Sequence, residues 1–447
     1  MPLLRKKKDR LLATDQRTHE IRDPVHNFIK LESPERLILN CPAFQRLRDV
    51  HQLAMTYLVY PGASHKRFEH SLGVMELATR IYDTVTASEN IRHESVRKLV
   101  PRHGSFDHQY WRRVLRMAAL CHDMGHLPFS HAAEEELLPD GTRHEHLSLK
   151  VLLSPNMEHF WKELNISAQH VGKLAVGPKY SSELLGDWEA ILSEMIIGDA
   201  FGADRMDYLL RDSLHAGVGY GRFDHYRLLD TLRILPREEE GSTEPALGIE
   251  YGGLQAAESL LWARYFMYTQ LYFHPVRRIY DIHLKDFLRA WLPGGKYSVE
   301  LSDHLGITDN EVLVAIRKAA TDSSLAGHAP ASRIFHRNHF RRIYEKNAAD
   351  QGLNLRSVEL VTAALVEQFG GEAIRRDTYA QRSTGIAFPV LKSDGRIEVS
   401  TSSSSTLSNV PTFQVDYVFA DPLIVDEALK WLTDNKRALL DQAPAEE

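Results

Sequence analysis

The pair His122-Asp123 is the part of this chain whose residue types most clearly suggest chemistry. It places a nitrogen donor beside an oxygen donor, and His126 and His131 follow within the same short segment. A divalent transition metal accepts this mixture of imidazole and carboxylate ligands. Because a lone His-Asp pair more often lies at a surface or a helix end, its meaning depends on the segments around it.

The residues near the pair predict that it lies at the buried end of a helix. Residues 113–120 carry an apolar face, and Gly125 and Pro128 interrupt the helical pattern directly after the pair. A buried carboxylate such as Asp123 must be neutralised, and the adjacent imidazole favours a metal ion over an arginine as its partner. His70 lies in the first turn of another predicted helix and could reach the same ion.

A third segment offers more oxygen ligands. Asp204, Tyr208 and Asp212 are spaced four residues apart, so they project from one side of a helix. One interpretation is a solvated face on which Asp207 pairs with Arg211. The other is a functional face, and the apolar residues that flank the stripe favour this second interpretation because they predict a mostly buried helix.

Several segments of the chain together resemble those of a known family. They are residues 23–26, 44–48, 60–71, 120–131, 144–145 and 204–217, with weaker similarity at 307–310 and 333–341. On these segments the chain resembles the HD-domain metal-dependent phosphohydrolases, and most closely the deoxynucleoside triphosphate triphosphohydrolases.

The resemblance implies a metal site and a set of catalytic residues beside it. The implied metal ligands are His70, His122, Asp123 and Asp204. The implied catalytic residues are His126, His131, Glu134 and His144. Two imidazoles and two carboxylates suit a single divalent ion, which could be manganese, iron, zinc, nickel or magnesium. His144 is the expected general acid, oriented by Glu134, because an imidazole titrates near neutral pH and a carboxylate raises its pKa.

The resemblance also implies residues that face the substrate. It assigns Arg67 and Arg205 to phosphate oxygens, Gln52 and Asp212 to the ribose 3′-hydroxyl, Leu53 and Tyr208 to crowding at the 2′ position, and Tyr272 and Tyr280 to the nucleotide site. The remaining aromatic residues near Tyr272 have helical spacing, which favours core packing over stacking on a base.

Two positions depart from the animal members of the family. Tyr272 stands where those proteins have an arginine that contacts the terminal phosphates, and it supplies no charge. Asn40 stands where they have an acidic residue that helps to read an activating guanine. The candidate residues for a regulatory nucleotide are Gln45, Arg48, Arg337 and Arg341. A solvated basic face explains the last two equally well.

Length and composition fit a folded enzyme. The chain has 447 residues, of which 43% are hydrophobic, so it can bury a large core. Its formal net charge of −6 argues against nonspecific coating of nucleic acid. With only Cys41 and Cys121, the sequence predicts neither a disulfide framework nor a thiolate metal site, and we expect a reducing, cytoplasmic location.

The expected fold is mainly α, with an HD-domain helical core, small β-hairpins and an appended α+β lobe. Its parts are a mobile basic tail at residues 1–17, the catalytic core at 18–292 and the C-terminal lobe at 293–447. The tail has no apolar stretch after it, which predicts neither a secretory signal nor a membrane anchor. No later segment is apolar for long enough to span a bilayer.

Several smaller elements are expected within these parts. Alternating or turn-rich sequences predict hairpins at residues 20–31, 232–249 and 386–399. The serine run at 401–406 predicts a flexible loop. The amphipathic stretch at 425–440 predicts a closing helix.

The function that these expectations favour is metal-dependent hydrolysis of a deoxynucleoside triphosphate to nucleoside and triphosphate. A nucleotide activator is a candidate partner, and a homo-oligomer is the expected state. Two alternatives stay open. One keeps the site but acts on another nucleotide or on the end of a single-stranded nucleic acid. The other is a nucleotide-sensing or partner-binding protein in which hydrolysis is incidental.

Overall fold

The computed structural model describes residues 18–130, 134–181, 183–239, 242–380 and 387–441. The expected tail at residues 1–17 and the candidate residue His131 therefore lie outside the described residues. Within them the fold is mainly α-helical with small sheets, as the sequence predicts. None of the described helices combines the length and the apolar composition needed to cross a bilayer.

The helices before residue 232 form the N-terminal half of the described fold. They are α1 (Glu35–Leu39), α2 (Pro42–Gln45), α3 (Arg67–Val85), α4 (Glu94–Leu99), α5 (Phe106–Cys121), α6 (Glu134–Leu137), α7 (His144–Leu152), α8 (Pro155–Leu164), α9 (Ala168–Val176), α10 (Asp187–Ile197), α11 (Ala203–Ala216) and α12 (His225–Thr231). This confirms the prediction of a chiefly helical stretch from residue 42 to about residue 230.

The helices after residue 250 build the rest of the chain. They are α13 (Leu254–Met267), α14 (Pro275–Trp291), α15 (Leu301–Leu305), α16 (Asp309–Thr321), α17 (His328–Phe335), α18 (Ala348–Leu353), α19 (Ser357–Phe369), α20 (Ser400–Ser403), α21 (Ser405–Ser408) and α22 (Val425–Leu440). A π-helical segment, Tyr268–Tyr272, continues α13. The closing helix has the bounds that the sequence predicts, whereas the serine run forms α20 and α21 instead of the expected loop. Ser404, between them, is buried and donates its hydroxyl hydrogen to Glu258.

The packing of α3 against α5 and α11 positions the candidate site. The side chain of Ser105 caps α5, and α11 ends at Gly217 in the left-handed conformation that glycine adopts easily. Gly73 lies where α3 faces α11. A methyl group there would overlap the Asp207 carboxylate and the Arg211 guanidinium, so glycine permits the close approach of the two helices.

Three small sheets accompany the helices. Strands β1 (Thr18–Asp23) and β2 (Asn27–Glu32) form an antiparallel hairpin. Strands β3 (Leu232–Glu239), β4 (Ser242–Glu250), β7 (Pro389–Leu391) and β8 (Ile397–Val399) form a sheet in the order β3-β4-β7-β8. Strands β5 (Arg341–Glu345), β6 (Ile374–Ala380) and β9 (Gln414–Ala420) form an antiparallel sheet in the order β5-β9-β6. The three predicted hairpins are confirmed.

The third hairpin pairs with the second hairpin. Strand β7 runs parallel to β4, and Phe388 and Val390 pack in the same hydrophobic cluster as α3, α5 and α11. Sheet β5-β9-β6, by contrast, packs with α19 and α22 around a separate cluster that includes Val361, Val418 and Leu432. Part of the C-terminal sequence therefore completes the core, and part forms its own layer.

Candidate metal centre and catalytic cleft

The four expected metal ligands come together from three helices. The ligand atoms of His70, His122 and Asp123 all lie within 4.8 Å of one another. Asp204, at the start of α11, places its Oδ1 3.0 Å from His70 Nε2 and 3.6 Å from His122 Nε2. All four side chains thus converge, although their segments are far apart in sequence.

Each imidazole is oriented by a bond to its other ring nitrogen. His70 Nδ1 donates to Asp207 Oδ2 at 2.8 Å, and His122 Nδ1 donates to the carbonyl oxygen of Ala119 at 2.8 Å. A metal-binding histidine usually has such an outer partner, which fixes the tautomer and directs Nε2 toward the ion. Burial disfavours a charged His70, but its bonds with Asp204 and Asp207 outweigh burial and raise its pKa to about 10.

The residues present fit a divalent metal ion. His122 Nε2 is buried, lies 3.3 Å from Asp123 Oδ1 and makes no hydrogen bond of normal geometry within the described part of the chain. A buried ring nitrogen that faces carboxylates in this way has the geometry of a ligand rather than of a core histidine. The donor set of two imidazoles and two carboxylates leaves the identity of the ion open among transition metals and magnesium.

A buried ionic network supports His70 from behind, and the sequence did not reveal it as part of the site. Asp207 accepts from His26 Nε2 at 2.7 Å and from Arg211 Nε at 2.8 Å, and Arg211 Nη1 donates to Asp23 at 2.9 Å. The predicted Asp207–Arg211 pair therefore exists, but in the interior and not on a solvated face. The β1–β2 turn supplies His26 and Asp23, which explains why this hairpin contacts α11.

An arginine is one partner of Asp123, which corrects the expectation that a metal would take that role instead. Arg67 Nη1 donates to Asp123 Oδ2 at 2.5 Å, and Arg67 Nε donates to Ser130 Oγ at 2.8 Å. The other carboxylate oxygen, Oδ1, lies 3.3 Å from both His122 Nε2 and His126 Nε2. Arg67 thus neutralises one side of the carboxylate, while the other side faces the imidazoles.

His126 and His144, two of the expected catalytic histidines, stack with ring centroids 3.8 Å apart. Glu134 accepts from the backbone N–H of His144 at 2.7 Å and from its Nδ1 at 2.9 Å. Burial opposes a charged ring, yet the hydrogen bond and charge of Glu134, with Glu145 and Asp123, raise the pKa of His144. Burial, reinforced by the charges of Arg67 and His144, lowers the pKa of His126 well below its ordinary value. The two rings therefore favour different protonation states.

Gly125 lets α7 approach this pair. Its position faces the backbone of His144 and Ser148 so closely that any side chain would overlap them. Its N–H donates to Ser148 Oγ at 2.9 Å, and that hydroxyl donates to the carbonyl oxygen of His122 at 2.8 Å. The glycine that predicts a helix end in the sequence is thus also the contact point that brings His144 to His126.

These groups line a cleft of about 1070 Å³. Of the expected substrate residues, Gln52, Leu53, Arg67, Tyr208, Asp212 and Tyr272 line it. Each oxygen of Asp212 accepts one hydrogen bond, from His65 Nε2 at 2.7 Å and from the Tyr272 hydroxyl at 2.7 Å. The sequence did not indicate His65 or the Asp212–Tyr272 bond. The far end of the cleft is lined by charged residues of α14 and β6, which the sequence analysis also missed.

Two expected substrate residues are not among the described residues that line the cleft. Arg205 donates to Asp199 at 2.9 Å. Tyr280 is fully buried and packs against His339, with ring centroids 4.7 Å apart. Arg205 and Tyr280 are close in sequence to residues that line the cleft, but they are not themselves among the described lining residues. Their predicted contacts with a nucleotide are therefore not evident in this structure.

The four candidate regulatory residues lie in two segments of the chain, with Gln45 and Arg48 in the first and Arg337 and Arg341 in the second. Gln45 donates to the Leu39 carbonyl oxygen at 2.7 Å and accepts from Arg48 at 2.9 Å. Arg48 also lies 3.5 Å above the centre of the Phe68 ring. Their partners are local.

The other two arginines also have partners within the chain, and that of Arg337 lies far away in the sequence. Arg337 donates to the Leu58 carbonyl oxygen at 2.8 Å, and Arg341 contacts His339 Nε2 at 2.5 Å. A regulatory nucleotide at any of these residues stays a prediction.

Comparison with known proteins agrees with this geometry. Residues 67–174 match the model of the HD domain, and residues 223–367 match the model of the HD associated region. The first match contains His70, His122 and Asp123, together with the histidine pair of the cleft. The chain therefore contains an HD domain followed by an HD associated region.

Individual relatives sharpen this assignment. The uncharacterized protein MJ1154 of Methanocaldococcus jannaschii is 36% identical over 265 residues, which are 59% of this chain and 48% of that protein. The human deoxynucleoside triphosphate triphosphohydrolase SAMHD1 is 28% identical over 368 residues, which are 74% of this chain and 56% of that protein. The chain spans about half the length of the curated relatives it matches.

A solved structure extends the similarity to nearly the whole chain. A hypothetical protein from Aquifex aeolicus superimposes with a TM-score of 0.75 and 28% sequence identity, covering 93% of this chain and 100% of that one. The architecture, including the layers after the HD domain, is thus shared with a protein of similar size.

Proposed function

We propose that this protein is a metal-dependent phosphohydrolase that converts deoxynucleoside triphosphates to nucleoside and inorganic triphosphate. The observation that carries the proposal is the convergence of His70, His122, Asp123 and Asp204 beside the stacked pair of His126 and His144 in one cleft. The similarity to proteins named deoxynucleoside triphosphate triphosphohydrolase supports the choice of substrate class.

The metal ligands would be the four converging side chains. A divalent ion held there supplies Lewis acidity and lowers the pKa of water, which is the chemistry that phosphoester hydrolysis requires. The chain holds this site in advance: Asp207 and the Ala119 carbonyl oxygen fix the two imidazoles, and Arg67 places a positive charge beside Asp123. A phosphate oxygen that approaches the site would meet that guanidinium.

His144 is the general acid in this proposal. Glu134 accepts a hydrogen bond from its Nδ1 and raises its pKa, which favours the protonated ring that can give a proton to the leaving oxygen. The neutral ring of His126, stacked on it, does not compete for this role. Two adjacent histidines with opposite shifts thus divide into a proton donor and a hydrogen-bonding partner.

The sugar side of the cleft is formed by Leu53, Gln52 and the pair of Asp212 and Tyr272. The Tyr208 ring meets Tyr272 edge to face, with centroids 6.0 Å apart, which fixes the position of both phenols. In the proposed complex these groups contact the deoxyribose, and their bulk disfavours an added 2′-hydroxyl.

The experiment that tests the proposal is a matrix of metals and nucleotides. Purified protein is incubated with manganese, iron, zinc, nickel or magnesium and with each deoxynucleoside and ribonucleoside triphosphate, and the products are separated. We expect deoxynucleoside and tripolyphosphate, formed only with added metal. Intact nucleotides under every metal would reject the proposal.

A matched pair of variants adds a test of the general acid. His144→Gln removes the proton donor and is expected to lower kcat by about 100-fold to 10,000-fold. His146→Gln alters an exposed histidine two residues later on the same helix and is expected to leave kcat unchanged. Equal activity of the two variants would contradict the assigned role.

A second candidate function is hydrolysis of a different nucleotide at the same site. It is favoured by the contacts of Tyr272 with Asp212 and of Arg205 with Asp199, because neither residue offers a positive charge to the described cleft. In the same product analysis, release of orthophosphate or pyrophosphate instead of tripolyphosphate supports this candidate. Tight nucleotide binding without turnover would instead indicate a sensor.

A further inference from the structure

A carboxylate from the HD associated region contacts the loop that carries His126. Asp309, the first residue of α16, is fully buried. Its Oδ1 accepts from the backbone N–H of Phe129 at 2.7 Å. Its Oδ2 accepts from the backbone N–H of His51 at 2.8 Å and from His51 Nδ1 at 2.5 Å. One side chain therefore joins three segments of the molecule.

The loop that Asp309 contacts has a strained backbone. Phe129 and Ser130 have φ angles of 56° and 58°, and both residues are buried. Residues other than glycine rarely adopt this left-handed conformation, and two in succession persist only where the surroundings hold them. The bond from Phe129 to Asp309 and the bond from Ser130 Oγ to the His51 carbonyl oxygen, at 2.8 Å, supply that restraint.

The same loop is connected to the metal centre through Arg67. Ser130 Oγ accepts from Arg67 Nε at 2.8 Å, and Arg67 Nη1 donates to the Asp123 carboxylate at 2.5 Å. An unbroken series of hydrogen bonds therefore runs from Asp309 through His51, Ser130 and Arg67 to a metal ligand. Each of these groups is buried or nearly so, which limits competition from water.

A second contact from the same segment holds the other end of the loop. Arg46 Nε donates to the Ile307 carbonyl oxygen at 3.0 Å, and Arg46 Nη1 donates to the His126 carbonyl oxygen at 2.9 Å. Residues 307–309 thus restrain residues 126–130 at both ends, once through Arg46 and once through Asp309.

We infer that Asp309 is a positioning residue, which sets the conformation of the 126–130 loop and through it the placement of Arg67 beside Asp123. Its effect on turnover rests on the proposed function. Its effect on metal binding rests only on the assignment of Asp123 as a metal ligand, which does not depend on the substrate.

The test replaces the carboxylate by an amide of the same size. In Asp309→Asn only one oxygen accepts, so the amide NH2 group must face an N–H of either Phe129 or His51, and one restraint is lost. We expect kcat to fall about 100-fold because a small displacement of reacting groups is costly, with KM nearly unchanged. We expect manganese affinity, measured by calorimetry, to fall about tenfold, as for the loss of an outer partner.

Glu311→Ala is the matched control at the same helix end. Glu311 accepts from the backbone N–H and the hydroxyl of Thr308, at 2.7 and 2.6 Å, and caps α16 without contacting the 126–130 loop. We expect this variant to lower the melting temperature and to leave kcat and manganese affinity at their wild-type values. Circular dichroism verifies that each variant is folded.

The outcomes separate the inference from the proposed function. If folded Asp309→Asn matches Glu311→Ala in kcat and manganese affinity, the inference is overturned. If the wild-type protein turns over no nucleotide, manganese affinity alone decides: a loss in Asp309→Asn supports the inference and an unchanged value overturns it. If Asp309→Asn does not fold, Arg46→Lys, which gives up one of the two Arg46 bonds, is judged by the same measurements.

Discussion

The ionic network behind the metal centre, which is the inner end of the site, is closed off from solvent, whereas the ion pairs of Glu136 at the far, outer end of the cleft are partly exposed. Arg211 is 0% exposed and makes its bonds to Asp207 and Asp23 in the interior. Arg289, which with Lys285 holds Glu136 at 2.6 Å, is 53% exposed. The side chains of the inner end are therefore held in position before any ligand binds, whereas the ion pairs of the outer end can exchange partners at low cost.

The largest expected effect is the loss of a metal ligand at the inner end. We expect His122→Ala to lower metal affinity by more than about 100-fold, the upper range for losing an outer partner. The control is His108→Ala, which removes another buried histidine of α5 that contacts Thr86 and not the metal centre. Calorimetric titration with manganese measures both; equal affinities would contradict the assignment of His122.

The next effect is on stability. Asp207→Ala removes one of the two carboxylates that pair with the buried Arg211 in the described part of the chain, so we expect the free energy of unfolding to fall by about 3–5 kcal/mol. Urea denaturation measures this loss. Asp207→Asn keeps the hydrogen-bonding shape and should lose less. A loss of unfolding free energy as small as that expected for an exposed ion pair would show that the buried network of Asp207, Arg211 and Asp23 does not stabilise the fold.

A half-buried carboxylate that accepts a backbone hydrogen bond sharpens the contrast. Glu194 of α10 accepts from the backbone N–H of Leu247 at 3.1 Å, and burial raises its pKa from an ordinary 4.5 to about 6. For Asp207, burial also favours the neutral form, but the charge of Arg211 outweighs it and holds the pKa well below its usual range. The presence of a charged partner, and not burial, therefore decides whether the pKa of such a carboxylate rises or falls.

This difference predicts a pH dependence of stability. The folded state holds the Glu194 proton more tightly than the unfolded state, so its burial costs nothing below about pH 4.5 and about 2 kcal/mol above pH 6. Glu194→Gln should therefore gain about 2 kcal/mol relative to wild type at pH 8 and nothing at pH 4. Denaturation curves at the two pH values measure the gain, and a gain of the same size at both would contradict the assigned cause.

The smallest effect is expected at the outer end. Glu136→Gln releases Lys285 and Arg289 from a partly exposed pair, so the free energy of unfolding should change by less than about 1 kcal/mol. Because the two released cations line the cleft, KM for an anionic nucleotide should fall and become more sensitive to salt. A loss of stability comparable to that of Asp207→Ala would remove the distinction between the two ends.

Much of the candidate site could be predicted from residue types and spacing. His122-Asp123 at a helix end, His70 in a first turn and Asp204 on a helical stripe are local patterns, and the structure brings their side chains together. The hairpins and the closing helix follow equally local rules of alternation and periodicity. These features depend on neighbours within a few residues, which a sequence displays directly.

Other features depend on residues far apart in the chain. The bonds of Asp207 to His26, of Asp123 to Arg67 and of Asp309 to Phe129 join segments separated by 181, 56 and 180 residues. No local pattern indicates them. The serine run at 401–406 likewise has a partner far away in the sequence, since Ser404 donates to Glu258.

The sequence by itself determined which donor atoms are present and which helices and turns carry them. Only the tertiary structure decided which carboxylate orients His70 and which arginine pairs with Asp123. It also decided that Arg205 and Tyr280 are not among the described residues that line the cleft. The physical reason is that hydrogen bonds and burial act through space, so the state of a charged group is fixed by the partners that folding brings to it.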